Sequence, residues 1–201
     1  MKMNTTPTTF FALFLLCAVT SHLPSATADF VFDTDGDAVR NGGIYYVLPV
    51  KRGHGGGLER ARTGNETCPL TVVQSPFEVS KGLPVVISSP IRVLYIEEGL
   101  ILNVAFLFGP LCLPTPSVWT LVQGLPEGLA VKLTGYNNTV PGWFEIQRAS
   151  LEFHDYKFVF RSIDDSWDIG IYIDHNQHRR LVATDNDPLL VQFQKVGSST
   201  A

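Results

Sequence analysis

Arg92 stands where an arginine could do chemistry. In Ser88-Ser89-Pro90-Ile91-Arg92-Val93-Leu94-Tyr95 it follows a proline and sits between two β-branched residues. Pro90 fixes its own φ and biases Ser89 toward an extended backbone. Ile91 and Val93 are stiff at χ1. A guanidinium on such a segment presents a planar donor fork that can grip a carboxylate with two bonds. The chemistry is recognition: Arg92 could anchor in a partner's pocket that ends in an acid, and a stiff segment loses less entropy on docking. An arginine near a strand is commonplace by composition alone, so the surrounding sequence has to decide.

Other constellations are weaker. Asp33, Asp35 and Asp37 have the spacing that opens a calcium loop, but Ala38 stands where glycine is needed and Ile44 where glutamate is needed. His175 and His178 lack a third ligand in register and read as a solvated hairpin. The Gly53-His54-Gly55-Gly56-Gly57 run lacks the Lys-Ser/Thr ending of a phosphate loop, and no G-x-S-x-G occurs. No metal, no cofactor and no enzymatic activity are therefore expected.

The elements that must position Arg92 are short and β-like. Runs at 45–48, 71–74, 84–88, 92–96, 102–107, 119–122, 131–134, 143–148, 157–160, 169–174, 180–184 and 191–195 are separated by turn chemistry, as in Asn41-Gly42-Gly43 and the segment 185–188. Ile-Gly-Ile-Tyr-Ile at 169–173 and Val-Gln-Phe-Gln-Lys at 191–195 alternate with period two, one face buried and one wet. Twelve such runs, with 17 Gly and 13 Pro in 201 residues, predict an all-β barrel or sandwich. Internal similarity is weak, so threefold repetition rests on the strand count.

Lys2, the apolar run 10–19 and Ala26-Thr27-Ala28 form a secretory signal peptide pattern over residues 1–28, the other reading being a buried N-terminal helix. The domain is then 29–201, starting at Asp29, and secretion to the exterior or the vacuole is expected. The formal net charge is −4, and one unit more negative without Lys2. An acidic domain has no electrostatic footprint for nucleic acid, and no basic amphipathic stretch suits a membrane surface. Cys17 leaves with the leader. Cys68 and Cys112 remain, and in an oxidising compartment two cysteines imply one disulfide worth about 4 kcal/mol. Asn65-Glu66-Thr67 and Asn137-Asn138-Thr139 make Asn65 and Asn137 candidate glycosylation sites.

Val31-Phe32-Asp33-Thr34-Asp35-Gly36-Asp37-Ala38-Val39, then five residues, then Tyr45-Tyr46-Val47, resembles the N-terminal signature of the plant Kunitz-type (soybean trypsin inhibitor) family, legume members in particular. The pattern continues through Thr63 to Gln74, Ile87-Ser88-Ser89-Pro90, Asp168-Ile169-Gly170-Ile171, Asp174-His175, Arg179-Arg180-Leu181-Val182 and Leu190 to Lys195. The resemblance implies a β-trefoil of twelve strands. It also implies a monomer that inhibits a trypsin-like serine protease through an exposed reactive loop, Ser89, Pro90, Ile91, Arg92, Val93 and Leu94, with Arg92–Val93 as the scissile bond. Asn41 matches the family asparagine whose side chain supports that loop from behind. Cys68 and Cys112 match the first family disulfide. The second is missing: Arg161 stands where its first cysteine is expected.

Arg92 suits that role on physical grounds, because a trypsin-like specificity pocket ends in an aspartate. Two other classes remain as alternatives. One is a carbohydrate-binding trefoil, although no Gln-x-Trp repeat occurs at Trp119, Trp143 or Trp167. The other is a storage or signalling member of the family, or an inhibitor of another protease class.

Overall fold

The computed structural model describes residues 29–112, 117–150 and 153–197, so the expected signal peptide lies outside the described residues. Thirteen strands form: β1 (Gly43–Pro49), β2 (Leu58–Ala61), β3 (Thr71–Gln74), β4 (Val85–Ser88), β5 (Asn103–Phe106), β6 (Trp119–Leu125), β7 (Gly128–Leu133), β8 (Thr139–Val140), β9 (Trp143–Arg148), β10 (Tyr156–Arg161), β11 (Ser166–Ile173), β12 (Arg179–Thr184) and β13 (Val191–Lys195).

The pairing order defines two layers. Strand β1 pairs with β4, β4 with β5, β9 with β10, β10 with β13, and β13 with β1. A bridge from Leu102 to Phe144 joins the start of β5 to β9 and closes the ring. This is a six-stranded barrel. The hairpins β2–β3, β6–β7 and β11–β12 lie across one end, and β3, β7 and β12 pair with one another in a triangle. A closed six-strand barrel capped by three mutually paired hairpins is a β-trefoil, as the resemblance implied.

Alternation fills the barrel. Tyr45 and Val47 of β1, Val85 and Ile87 of β4, and Val191 and Phe193 of β13 are buried, each separated by a residue facing outward. Trp119 packs against Phe106, Phe144 and Phe158, and Phe158 meets Phe193 edge-on at 5.9 Å, so rings from the barrel and the cap share one core.

The expected strand at 92–96 does not form. Only Tyr95 forms a bridge there, to Arg40, because the chain turns on itself at Arg92, where Val93 N–H donates to Ile91 C=O, and too little of the run is left extended for a ladder. Conversely β2 and β8 were absent from the expected set. Leu-Glu-Arg-Ala has little strand preference and is held by its four-residue register with β3, and β8 is two residues long. At the missing second disulfide, Arg161 Nε and Nη2 donate to Glu145 at 2.9 and 3.2 Å, and Trp143 Nε1 donates to the same carboxylate at 2.9 Å. An ion pair thus links β9 and β10 near the place where the resemblance implies a second disulfide.

A buried ion cluster fixes the β11–β12 turn. Asp174 Oδ1 accepts from the backbone N–H groups of Asn176 and His178, and Oδ2 accepts from Arg180 Nε at 2.8 Å. Arg180 also pairs with Glu127. Burial pushes the Asp174 carboxyl up, but the hydrogen bonds from His178 and Arg180 outweigh it and hold it down at about 2. A lowered carboxylate contributes stability above its unfolded value near 3.8 and loses it as pH falls toward about 2. Acid titration followed by circular dichroism should therefore show stability falling in that window. Asp174→Asn should flatten that fall and cost about 2 kcal/mol at neutral pH. An unchanged acid limb would remove the cluster from the account of stability.

Candidate functional site

The segment 89–94 leaves the barrel at the end of β4 and returns at the Tyr95 bridge. What holds it is a tight turn on the neighbouring chain, Arg40-Asn41-Gly42-Gly43. Gly43 N–H closes the turn onto Arg40 C=O at 2.9 Å. Gly42 takes φ +76°, which favours glycine at this turn position. A Cβ on Gly43 would lie 2.6 Å from the Tyr45 ring, so no side chain fits there. The turn is tied down further: Arg40 N–H donates to the Tyr45 hydroxyl at 2.9 Å, and Gly42 N–H donates to Ile87 C=O at 2.8 Å. Burial raises the Tyr45 phenol above its usual value, which keeps it a neutral hydroxyl in this role.

Asn41 sits at the crest of that turn and directs its side-chain amide and its backbone N–H onto the segment. Its Nδ2 donates to the carbonyls of Ser89, Ile91 and Val93 at 3.4, 3.3 and 3.1 Å. Its Oδ1 accepts from Ser89 N–H at 2.8 Å, and its backbone N–H donates to Leu94 C=O at 3.0 Å. Two amide hydrogens facing three carbonyls must be shared. The single side chain thus ties carbonyls on both sides of Arg92 to one turn.

The segment bends at its tip. Val93 N–H donates to Ile91 C=O at 2.9 Å, closing a three-residue turn on Arg92. Ser89 Oγ accepts from Ile91 N–H at 3.2 Å. Ile91 and Leu94 are 46% and 67% exposed, so the segment presents side chains that a core would bury. Arg92 is exposed, and among the described residues its side chain makes no hydrogen bond or ion pair. Phe30 packs edge-on against Tyr95 at 5.8 Å and braces the returning chain.

Cys68 and Cys112 are bonded, with Cα atoms 6.0 Å apart. The covalent ring they close contains the whole 89–94 segment, so a cut at Arg92–Val93 would leave both pieces joined. Asn65 and Asn137 are both exposed in bends or turns. Asp33 Oδ1 accepts from Asp35 and Asp37 N–H at 3.0 and 2.9 Å, a local turn that uses the acid as a cap. His178 pairs with Asp174 and His175 is exposed, so the two histidines have different surroundings. Sequence reasoning identified Asn41 but missed its supports, Arg40, Gly42, Gly43 and Tyr45. The Asn-Gly-Gly triplet signalled a turn without showing what it carried.

A family model described as "Trypsin and protease inhibitor" (legume Kunitz) matches residues 31–195. A Kunitz-type trypsin inhibitor of Glycine max is 54% identical over 96% of this chain and 98% of its own. Trypsin inhibitor A of Glycine max is 49% identical over 94% and 91%. Among solved structures, soybean trypsin inhibitor aligns with TM-score 0.78 at 47% identity, covering 84% of this chain and all of its own. The inhibitor in a complex with porcine pancreatic trypsin aligns with TM-score 0.79 at 48% identity, over 84% of this chain and 99% of its own. With the trefoil, the bonded cysteine pair and the matches over nearly all of the described residues, the chain belongs to the legume Kunitz family of trypsin and protease inhibitors.

Proposed function

We propose that this protein is a substrate-like inhibitor of trypsin-like serine proteases, acting through Arg92–Val93. The observation that carries this reading is the Asn41 anchorage: one amide bonds three carbonyls of a segment whose exposed arginine has no partner among the described residues. Arg92 enters a pocket floored by an aspartate. The protease serine attacks the Arg92 carbonyl, the Arg92–Val93 bond breaks, and an acyl-enzyme forms. Asn41 holds the Ser89 and Ile91 carbonyls on one side of the cut and the Val93 carbonyl on the other. The new Val93 amine therefore stays beside the acyl carbon, and religation outruns hydrolysis by proximity. The protein is secreted in this reading, with Asp29 as its first mature residue; the Cys68–Cys112 bond suits an oxidising compartment.

Titration of active-site-counted trypsin tests the proposal. One equivalent of inhibitor should abolish activity, with chymotrypsin far less affected. Full trypsin activity at an equimolar dose would refute it.

Asn41→Asp probes the anchorage. A carboxylate oxygen replaces the donor and faces three carbonyls, while the Ser89 N–H bond survives. Losing these bonds is worth about 1–3 kcal/mol, so the inhibition constant should rise about 10- to 100-fold. Hydrolysis at Arg92–Val93 should accelerate, because the cut ends are no longer held. An unchanged inhibition constant would deny Asn41 this role.

A further inference from the structure

The turn at 63–66, the β6–β7 turn, Tyr136 and the β11–β12 turn border a cleft of about 520 Å³ at the cap, within the range of small-ligand sites, about 300–1,000 Å³. Its floor is polar and closed on itself. Lys132 Nζ donates to Glu66 Oε1 at 2.7 Å, and the Tyr136 hydroxyl donates to the same oxygen. Arg180 pairs with Asp174 at 2.6 Å and with Glu127. Two cations thus meet three carboxylates, and each cation is already paired, so the floor disfavours an anion. Leu125, Pro126 and Tyr172 supply the walls. Tyr172 is 38% exposed and stands opposite Arg180 in the β11–β12 register. An aromatic and aliphatic wall above a self-paired floor suits a neutral, amphipathic ligand.

The sequence offers such a ligand at the rim. Asn65 of the acceptor triplet Asn65-Glu66-Thr67 lines the cleft, and the middle residue of the triplet is the floor carboxylate. Glu66 turns inward, its side chain 10% exposed, while Asn65 and Thr67 face solvent. Gly64 takes φ +58° and turns the chain at this point. The Asn65 side chain makes no hydrogen bond among the described residues, so its amide is free to carry a sugar. Asn137, the other candidate acceptor, does not line the cleft.

We infer that the first N-acetylglucosamine of a glycan on Asn65 folds back into this cleft, against Tyr172, Leu125 and Pro126. Attachment joins Asn65 Nδ2 to the anomeric carbon of the sugar, displaces the diphosphate of a lipid-linked donor and releases one amide proton. The tether holds the sugar at an effective concentration of about millimolar, so weak stacking is enough to dock it. A docked sugar keeps water from the two ion clusters beneath, which strengthens them. The inference shares only the secretion step with the inhibitory reading, and no residue of 89–94 lines the cleft.

Full-length protein recovered from the medium of a plant cell culture tests the inference. Mass spectrometry should find Asn65 glycosylated. Asn65→Gln should melt about 2–4 °C below the parent, whereas enzymatic trimming to a single sugar should leave the melting temperature unchanged. Tyr172→Ala should abolish the difference between glycosylated and Asn65→Gln protein, because the sugar loses its wall. Asn137→Gln is the control: whatever it does to melting should be the same with or without Tyr172→Ala. If Tyr172→Ala misfolds, nuclear Overhauser contacts between the sugar's acetyl methyl group and the Tyr172 ring carry the test. A bare Asn65 in secreted protein, equal melting of parent and Asn65→Gln, a difference that persists in Tyr172→Ala, or absent contacts to the ring would each overturn the inference. Trypsin titration of the same samples should be unchanged by Asn65→Gln and judges the inhibitory reading separately.

Discussion

Arg92→Ala should lose inhibition of trypsin by about a thousandfold or more, leaving the fold intact. A buried, charged anchor at the centre of a protease interface costs several kcal/mol when truncated, and about 4 kcal/mol is a factor near a thousand. The protease aspartate is then left in its pocket without a cation, which adds to the loss. The Arg92 side chain bonds to nothing among the described residues, so the melting temperature should be that of the parent, within the scatter of exposed substitutions. Two companions sharpen the result. Arg92→Lys keeps the charge as a point donor and should retain most of the inhibition. Arg92→Phe should move inhibition toward a protease with an apolar pocket. Inhibition constants for the three variants against trypsin and chymotrypsin decide the matter. An alanine variant as potent as the parent would place the contact elsewhere on the surface.

The paired substitution Cys68→Ser with Cys112→Ser should destabilise the protein by about 4 kcal/mol, the chain-entropy value for a sequence separation of 44. For a domain of this size that lowers the melting temperature by about 8–16 °C. The effect is large because this is the one bridge seen among the described residues, and the Glu145 ion pair near the absent one is weaker. The intact variant should still inhibit at low temperature, because Asn41 and its turn need no disulfide. Once cut at Arg92–Val93 it should behave differently from the parent. The parent's fragments stay tied through Cys68–Cys112, whereas the variant's are held only by strand pairing such as β4 with β5 and β1 with β13. Inhibition should survive nicking in the parent and fade in the variant. Calorimetry and an assay on nicked material would show it, and equal melting temperatures would contradict it.

The runs 143–148, 71–74 and 191–195 are legible to the residue because turn chemistry bounds each of them, although only 191–195 alternates and all four residues of 71–74 are buried. The barrel closure was not visible from periodicity: it depends on a bridge between Leu102 and Phe144, far apart in the chain, and only the resemblance supplied it. The 92–96 run misled for a physical reason. Val93, Tyr95 and Ile96 carry strand preference, but preference acts only where a partner strand offers its own donors and acceptors. Here the chain turns on itself at Arg92, with Val93 N–H on Ile91 C=O, and the Asn41 side chain takes the Val93 carbonyl. Ion clusters were equally hidden. Glu66, Lys132 and Tyr136 meet in a buried cluster, and Asp174, Arg180 and Glu127 meet in another, each drawn from separate elements with no local signature. In the first, burial opposes ionisation of Glu66, but hydrogen bonds from Lys132 and Tyr136 prevail and lower its pKa. The Gln74–Arg179 contact is of the same kind: neither residue stands out until β3 and β12 are laid side by side.

Incubating the protein with a catalytic trace of trypsin at mildly acidic pH, then following it by mass spectrometry and N-terminal sequencing, tests the central claim most directly. One bond should be cut, the new terminus should begin at Val93, and cleavage should stop at a stable mixture of intact and nicked chains. Purified nicked protein given fresh trypsin should approach the same mixture from the other side. Progressive digestion at several bonds, or a cut that never reverses, would contradict the account.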